Sequence, residues 1–275
     1  MTKPDAVPAD FRGIAAAPAE VDLAPRFPDL AGKLILVTGA TTGIGAEIAR
    51  QAARNEAVPL LIGRRKAELE RVAVQIAEET GVRAPVVTAD IGDDDAIQRI
   101  VAAAREVAAQ IDVLVHCAGV FHYLPFADTD TALLDEMHRA NVRGPFALTK
   151  AVLPHLSKNA SIVFIGSNVS TMGYAYTSAY TATKGGVEAL ARCLAVELAP
   201  QGIRVNTVSP GLTKTDMTIR MREEPELERA ARAVIPADRI GETREIAAAT
   251  LFLCSASSSY VVGATLTVDG GHSAP

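Results

Sequence analysis

Apolar residues fall along this chain in short unbroken runs separated by longer stretches with helical spacing. The first run is Leu34-Ile35-Leu36-Val37. With no polar position interposed, it has the pattern of a strand buried on both faces of a parallel sheet. AEIARQAARN, residues 46–55, then reads as a helix. A second strand is expected within AVPLLIGRR (57–65), shortened to Leu60–Ile62 because Pro59 cannot donate a ladder hydrogen bond. Residues 66–80 have helical periodicity and stop at Gly81. The third strand lies in 84–91, and Asp93 is placed to cap a helix running to about residue 109. Further strands are predicted at 112–119, 161–167, 203–211 and 265–271, with helices over roughly 129–157, 177–199 and 243–256. This alternation predicts an α/β fold: a doubly wound, mostly parallel, seven-stranded Rossmann-type sheet with helices on both faces. No break in composition divides residues 32–275, so one domain is expected.

The first 31 residues lack either period and are punctuated by Pro4, Pro8, Pro18, Pro25 and Pro28. They contain no apolar stretch of the secretory kind, and five acidic residues argue against a mitochondrial leader. The reading is an arm that is either disordered or laid over a neighbouring subunit. Of the 275 residues, 49% are hydrophobic and 21% charged, enough to bury a substantial core. A net charge of −5 argues against a nucleic-acid partner. No apolar run approaches the roughly 18 residues that span a bilayer. Cys117, Cys193 and Cys254 are far apart in sequence; they read as reduced thiols of a cytoplasmic protein, with no metal site expected.

Candidate chemistry begins where the first strand ends. KLILVTGATTGIG (33–45) places Gly39, Gly43 and Gly45 between a strand and a helix. Glycines let the backbone approach a pyrophosphate closely, and the helix N-terminus offers unpaired N–H groups and a positive dipole end. At the end of the second strand, where a carboxylate would select NAD, the chain has Gly63, Arg64 and Arg65. Arginine suits a 2′-phosphate, so NADP is favoured over NAD. A second constellation is Ser167, Tyr180 and Lys184. On a helix, Lys184 lies one turn beyond Tyr180, where an ammonium would pull the phenol pKa down from about 10. Such a phenol can exchange a proton with an alcohol or carbonyl oxygen, while Ser167 supplies a second hydrogen bond. The glycine turn, Asp90, Cys117–Gly119, Ser167 and Pro210–Gly211 all follow predicted strand ends, so they are expected to share one cleft.

From about residue 32 onward the chain resembles the short-chain dehydrogenase/reductase family, including its 3-oxoacyl-carrier-protein reductase-like and carbonyl reductase members. The resemblance rests on TGATTGIG (38–45), ADI (89–91), CAG (117–119), Asn141-Val142, Ser167, YTATK (180–184), SPGLTKT (209–215) and VDGG (268–271). It implies catalytic roles for Asn141, Ser167, Tyr180 and Lys184. Tyr180 would be the proton donor in reduction and acceptor in oxidation. Lys184 would hold the nicotinamide ribose, and Asn141 would bind a water linking Lys184 to solvent. It also implies cofactor contacts at Gly39, Thr41, Thr42, Gly43, Ile44, Gly45, Arg64 and Arg65. Further contacts are Asp90 and Ile91 at the adenine, Ala118 and Gly119 near the ribose, and Pro210, Gly211, Leu212 and Thr215 toward the nicotinamide. A homotetramer or homodimer is implied as well, and helices 129–157 and 177–199 carry apolar positions to spare.

His116-Cys117 stands where the family commonly has Asn-Asn, whose amides tie the central strands together. His116 is read as a hydrogen-bonded core residue rather than a base. The substrate pocket is expected from 120–127, 168–177 and an insertion at 216–235, with 212–235 acting as a lid. Phe121, Tyr123, Met172, Tyr174, Met217 and Met221 suggest an apolar ligand. Arg220 and Arg222, among glutamates 223, 224, 226 and 228, read as a solvated helix. The expected activity is NADP-dependent interconversion of a carbonyl and a secondary alcohol. A dehydratase or epimerase of the same fold, or a cofactor-sensing binding protein, are the alternatives.

Overall fold

The structure is a computed structural model that describes residues 26–219 and 223–274. Seven parallel strands form one sheet in the order β3-β2-β1-β4-β5-β6-β7. The strands are β1 Leu34–Thr38, β2 Val58–Gly63, β3 Val86–Thr88, β4 Ile111–His116, β5 Leu156–Ile165, β6 Arg204–Pro210 and β7 Thr265–Val268. The described helices are α1 Gly43–Arg54, α2 Lys66–Thr80, α3 Asp94–Val107, α4 Thr131–His138, α5 Gly144–Val152, α6 Ser178–Leu198, α7 Pro225–Ala233 and α8 Thr243–Cys254. Strand order reverses between β1 and β4, and that switch point opens a crevice at the carboxyl edge of the sheet. Both faces are covered. Ile35, Val37, Val113 and Val115 pack under α1, α2 and α8, while Leu34, Leu36, Leu114 and Ile162 pack under α3, α5 and α6.

Several boundaries differ from the sequence reading for identifiable reasons. Pro59 does not shorten β2: it pairs with Ile35 in register. Val58 N–H points to β1, donating to the Lys33 carbonyl, whereas Leu61 N–H points to β3, donating to Pro85. By alternation the missing donor of Pro59 faces β3 one step before that ladder starts, so no bond is lost. The expected helix over 129–157 is divided into α4, a π-helical turn Arg139–Arg143, and α5. Pro145 cannot donate to the Asn141 carbonyl, which breaks the α-helical ladder at that point. Pro154, in the turn Leu153–His155, ends α5 and lets β5 begin at Leu156, ahead of the expected 161. The predicted third strand contracts to Val86–Thr88. Asp93 caps α3 as expected, accepting from Asp95 N–H at 3.0 Å.

Of the expected arm, residues 1–25 lie outside the described residues, as do Arg220, Met221 and Arg222. Within 26–31, Leu30 is fully buried and Asp29 accepts from Ala256 N–H. No helix among the described residues is long and apolar enough to cross a membrane.

Candidate active site

The turn after β1 is built by close backbone approach. Gly39 has φ of 71°, and a Cβ there would lie 2.8 Å from the Ala118 backbone. A Cβ on Gly45 would overlap the Gly39 carbonyl oxygen. The turn therefore seats the N-terminus of α1 directly against the end of β4. Thr38 ties these strands, accepting from Cys117 N–H at 3.0 Å and Ala118 N–H at 3.1 Å. That hydroxyl supplies a tie where Cys117 has no amide to offer. Burial pushes the Cys117 thiol up to about 12, so it stays neutral. His116 is a core residue, as expected: its Nε2 lies 2.8 Å from Thr149 Oγ1 and its ring stacks on Phe164. Burial lowers its pKa to about 3.

The two arginines after β2 behave differently. Arg65 donates to Thr41 Oγ1 at 3.0 Å and faces Glu68 at 3.7 Å. Arg64 is exposed and, among the described residues, makes no hydrogen bond or ion pair, its charge acting only at longer range on Asp90, which leaves its guanidinium available to a ligand. Asp90 accepts from Gly92 N–H at 2.9 Å and pairs with Arg139 at 3.2 Å. Burial works to raise its pKa, but the Gly92 N–H, Arg139 and Arg64 together hold it below the ordinary value.

Across the crevice, Tyr180 sits in the first turn of α6 and Lys184 one turn further on. Lys184 is buried, its Nζ donating to the Ile165 carbonyl at 2.7 Å and lying 5.6 Å from the Tyr180 ring centre. Burial lowers the Lys184 pKa to about 8, with Cys117 and Glu188 acting the other way. The expectation of a depressed Tyr180 pKa is corrected. Burial raises it above the ordinary phenol value, and the hydrogen bond with Ser167 only partly opposes this. Spacing does place Lys184 Nζ beside the ring, yet desolvation sets the direction of the shift in the protein alone. Phe121 packs edge-on against Tyr180 at 4.8 Å.

Asn141, in the π-helical turn, does not line the cleft. Its Oδ1 accepts from Val120 N–H at 2.7 Å, and its Nδ2 donates to the Val120 carbonyl and to Thr183 Oγ1. Every expected cofactor contact, with Ser167, lines a single cleft of about 1080 Å³. Phe121, Tyr123, Met172, Tyr174 and Met217 line it too, as do the Leu227, Ala230 and Ala231 face of α7 and Val234 just after it. Three residues escaped the sequence reading: Thr38, Arg139 and Glu188. Glu188 carried a signal, since 180, 184 and 188 repeat at one-turn spacing on one helix face.

The sequence profile described as enoyl-(acyl carrier protein) reductase matches residues 39–273. Galactitol 2-dehydrogenase (L-tagatose-forming) of Cereibacter sphaeroides is 40% identical over 247 residues, covering 88% of this chain and 96% of that protein. The solved short-chain dehydrogenase/reductase (glucose/ribitol dehydrogenase) of Brucella melitensis superposes with a TM-score of 0.85 at 33% identity, covering 90% and 99% of the two chains. This chain belongs to the short-chain dehydrogenase/reductase family. L-Sorbose reductase of Gluconobacter frateurii, solved with NADPH and L-sorbose, aligns with a TM-score of 0.84 at 25% identity, covering 90% and 99%. Short-chain dehydrogenases/reductases are NAD(P)-using oxidoreductases that act on alcohol and ketone groups of small molecules.

Proposed function

We propose that this chain is an NADP-dependent oxidoreductase that interconverts a carbonyl and a secondary alcohol. The observation that carries this reading is the convergence of Ser167, Tyr180 and Lys184 with a glycine turn and an unpartnered Arg64 on one cleft. The residues fit a dinucleotide: the turn brings Gly39, Gly43 and the N-terminus of α1 to the cleft, where backbone N–H groups suit a pyrophosphate, and Arg64 offers a planar fork to a 2′-phosphate. When bound, the nicotinamide supplies or accepts the hydride. Tyr180 gives its phenolic proton to the substrate oxygen in reduction and takes it back in oxidation. Ser167 donates a hydrogen bond to that oxygen as its negative charge grows. Lys184 holds the ribose hydroxyls and, once there, stabilises the phenolate left behind.

The substrate wall of Phe121, Tyr123, Met172, Tyr174 and Met217 fits a carbonyl compound with an apolar body. In this reading the described parts of the predicted lid, 212–219 and 223–235, close over the bound pair, since α7 turns an apolar face to the cleft. The protein is cytoplasmic and assembles as a homotetramer or homodimer; Phe146 on α5 and Val196 on α6 are exposed, at 52% and 79%, as an interface would require.

The test is Tyr180→Phe assayed with NADPH and a panel of aryl and alicyclic ketones. NADPH affinity is expected to stay within about threefold while kcat falls by roughly a hundredfold or more. A kcat near that of the unmodified protein contradicts the assignment.

A further inference from the structure

Glu188 lies one helical turn beyond Lys184 on α6 and is only 4% exposed. A carboxylate at that depth is costly to desolvate unless its oxygens are engaged. Its Oε1 accepts hydrogen bonds from Ser170 Oγ at 2.5 Å and Ser209 Oγ at 2.9 Å. The neighbouring ammonium is directed elsewhere, Lys184 Nζ donating to the Ile165 carbonyl. These contacts join three parts of the cleft floor. Ser209 belongs to the end of β6, and Ser170 closes the 3-10 turn Asn168–Ser170 that follows Ser167. Ser170 Oγ also lies 2.7 Å from the Ser167 carbonyl oxygen, so its one proton is shared between two acceptors. Gly166 passes so near that a Cβ there would stand 2.9 Å from Glu188 Oε1.

The Ser167 hydroxyl shares a hydrogen bond with Tyr180 and accepts a long one, at 3.5 Å, from Val169 N–H; where it stands is set by the backbone of residues 166–170. The turn thus meets the Glu188 carboxylate on both sides of Ser167, through the close approach of Gly166 and through the Ser170 hydroxyl. We propose that Glu188 is a positioning residue, which fixes the 166–170 turn against β6 and so aims Ser167 Oγ at the substrate oxygen. It does not line the cleft and touches neither substrate nor cofactor. The inference rests on the proposed role of Ser167.

A double-mutant cycle with Ser167→Ala tests it. Glu188→Ala is expected to lower kcat by about ten- to a hundredfold, with NADPH affinity held within about threefold. Glu188→Gln, whose amide oxygen still accepts from both serines, recovers kcat to within about fivefold of the unmodified protein. In a Ser167→Ala background, Glu188→Ala costs less than about threefold more, because it acts through the serine already removed. The same loss factor in both backgrounds, or an unchanged kcat in Glu188→Ala, overturns the inference. If Glu188→Ala does not fold, Ser209→Ala removes one donor to the same oxygen. It is then expected to cost about three- to tenfold alone and nothing measurable beside Ser167→Ala; equal costs in the two backgrounds overturn it. An unchanged kcat in Ser167→Ala by itself would instead remove the serine from the proposed mechanism.

Discussion

Buried ionisable side chains decide much of the behaviour of this molecule one residue at a time. His116 has a folded-state pKa of about 3, below its ordinary 6.5, because its ring is buried against Thr149 of α5 and Phe164. Below pH 6.5 the unfolded chain therefore binds a proton that the native state refuses. Stability contributed by neutral His116 is present above that pH and declines as pH falls from 6.5 toward 3. The slope from this one group is at most about 1.4 kcal/mol per pH unit. In His116→Gln, which cannot ionise, denaturant unfolding measured between pH 6 and 4 should lose up to that much of its slope. Identical slopes in the two proteins would show that His116 is not held neutral. Residue scale is also where sequence reading was weakest. The spacing of Tyr180 and Lys184 was legible, but the sign of the phenol shift was not, because it depends on burial that four-residue spacing cannot report.

Among elements, the π-helical turn Arg139–Arg143 ties the segment after β4 to α6. It turns the Asn141 side chain toward Val120, whose N–H and carbonyl both bond to that amide, and toward Thr183 on α6. Asn141→Ala leaves both Val120 backbone groups without their partner. Each part-buried group left unpaired costs about 1–3 kcal/mol, so a total loss near 3 kcal/mol is expected in denaturant unfolding. A loss below about 0.5 kcal/mol would mean that water replaces the amide. The strands were read well because a buried parallel strand is an unbroken apolar run. The division of 129–157 was not read, since apolar spacing continues through the break and Pro145 acts four residues upstream of itself. Pro59 was over-read for the converse reason: a proline harms a strand only on the side where a neighbour is waiting, and β3 starts one step later.

At the scale of the whole molecule, the two edges of the sheet carry different work. The carboxyl edge holds the glycine turn, Arg64, Ser167 and Tyr180. The opposite edge holds Arg204, 9% exposed, whose guanidinium donates to carbonyls of Leu253, Cys254, Ser255 and Ser258. The bonds to Leu253 and Cys254 satisfy the last carbonyls of α8, and the four together fasten the end of that helix and the turn after it to β6. Arg204→Met should therefore cost about 3 kcal/mol of stability while NADPH affinity stays unchanged. A selective loss of affinity, with stability intact, would contradict this separation of edges. The most direct test of the proposed function is a side-by-side titration of NADPH and NADH, followed by cofactor fluorescence, in the unmodified protein and in Arg64→Ala. The chain has no tryptophan to interfere. NADPH is expected to bind at least about tenfold more tightly than NADH, with Arg64→Ala closing most of that gap. Equal affinities in both proteins would remove the 2′-phosphate role of Arg64, and failure to bind either nucleotide would contradict the oxidoreductase reading itself.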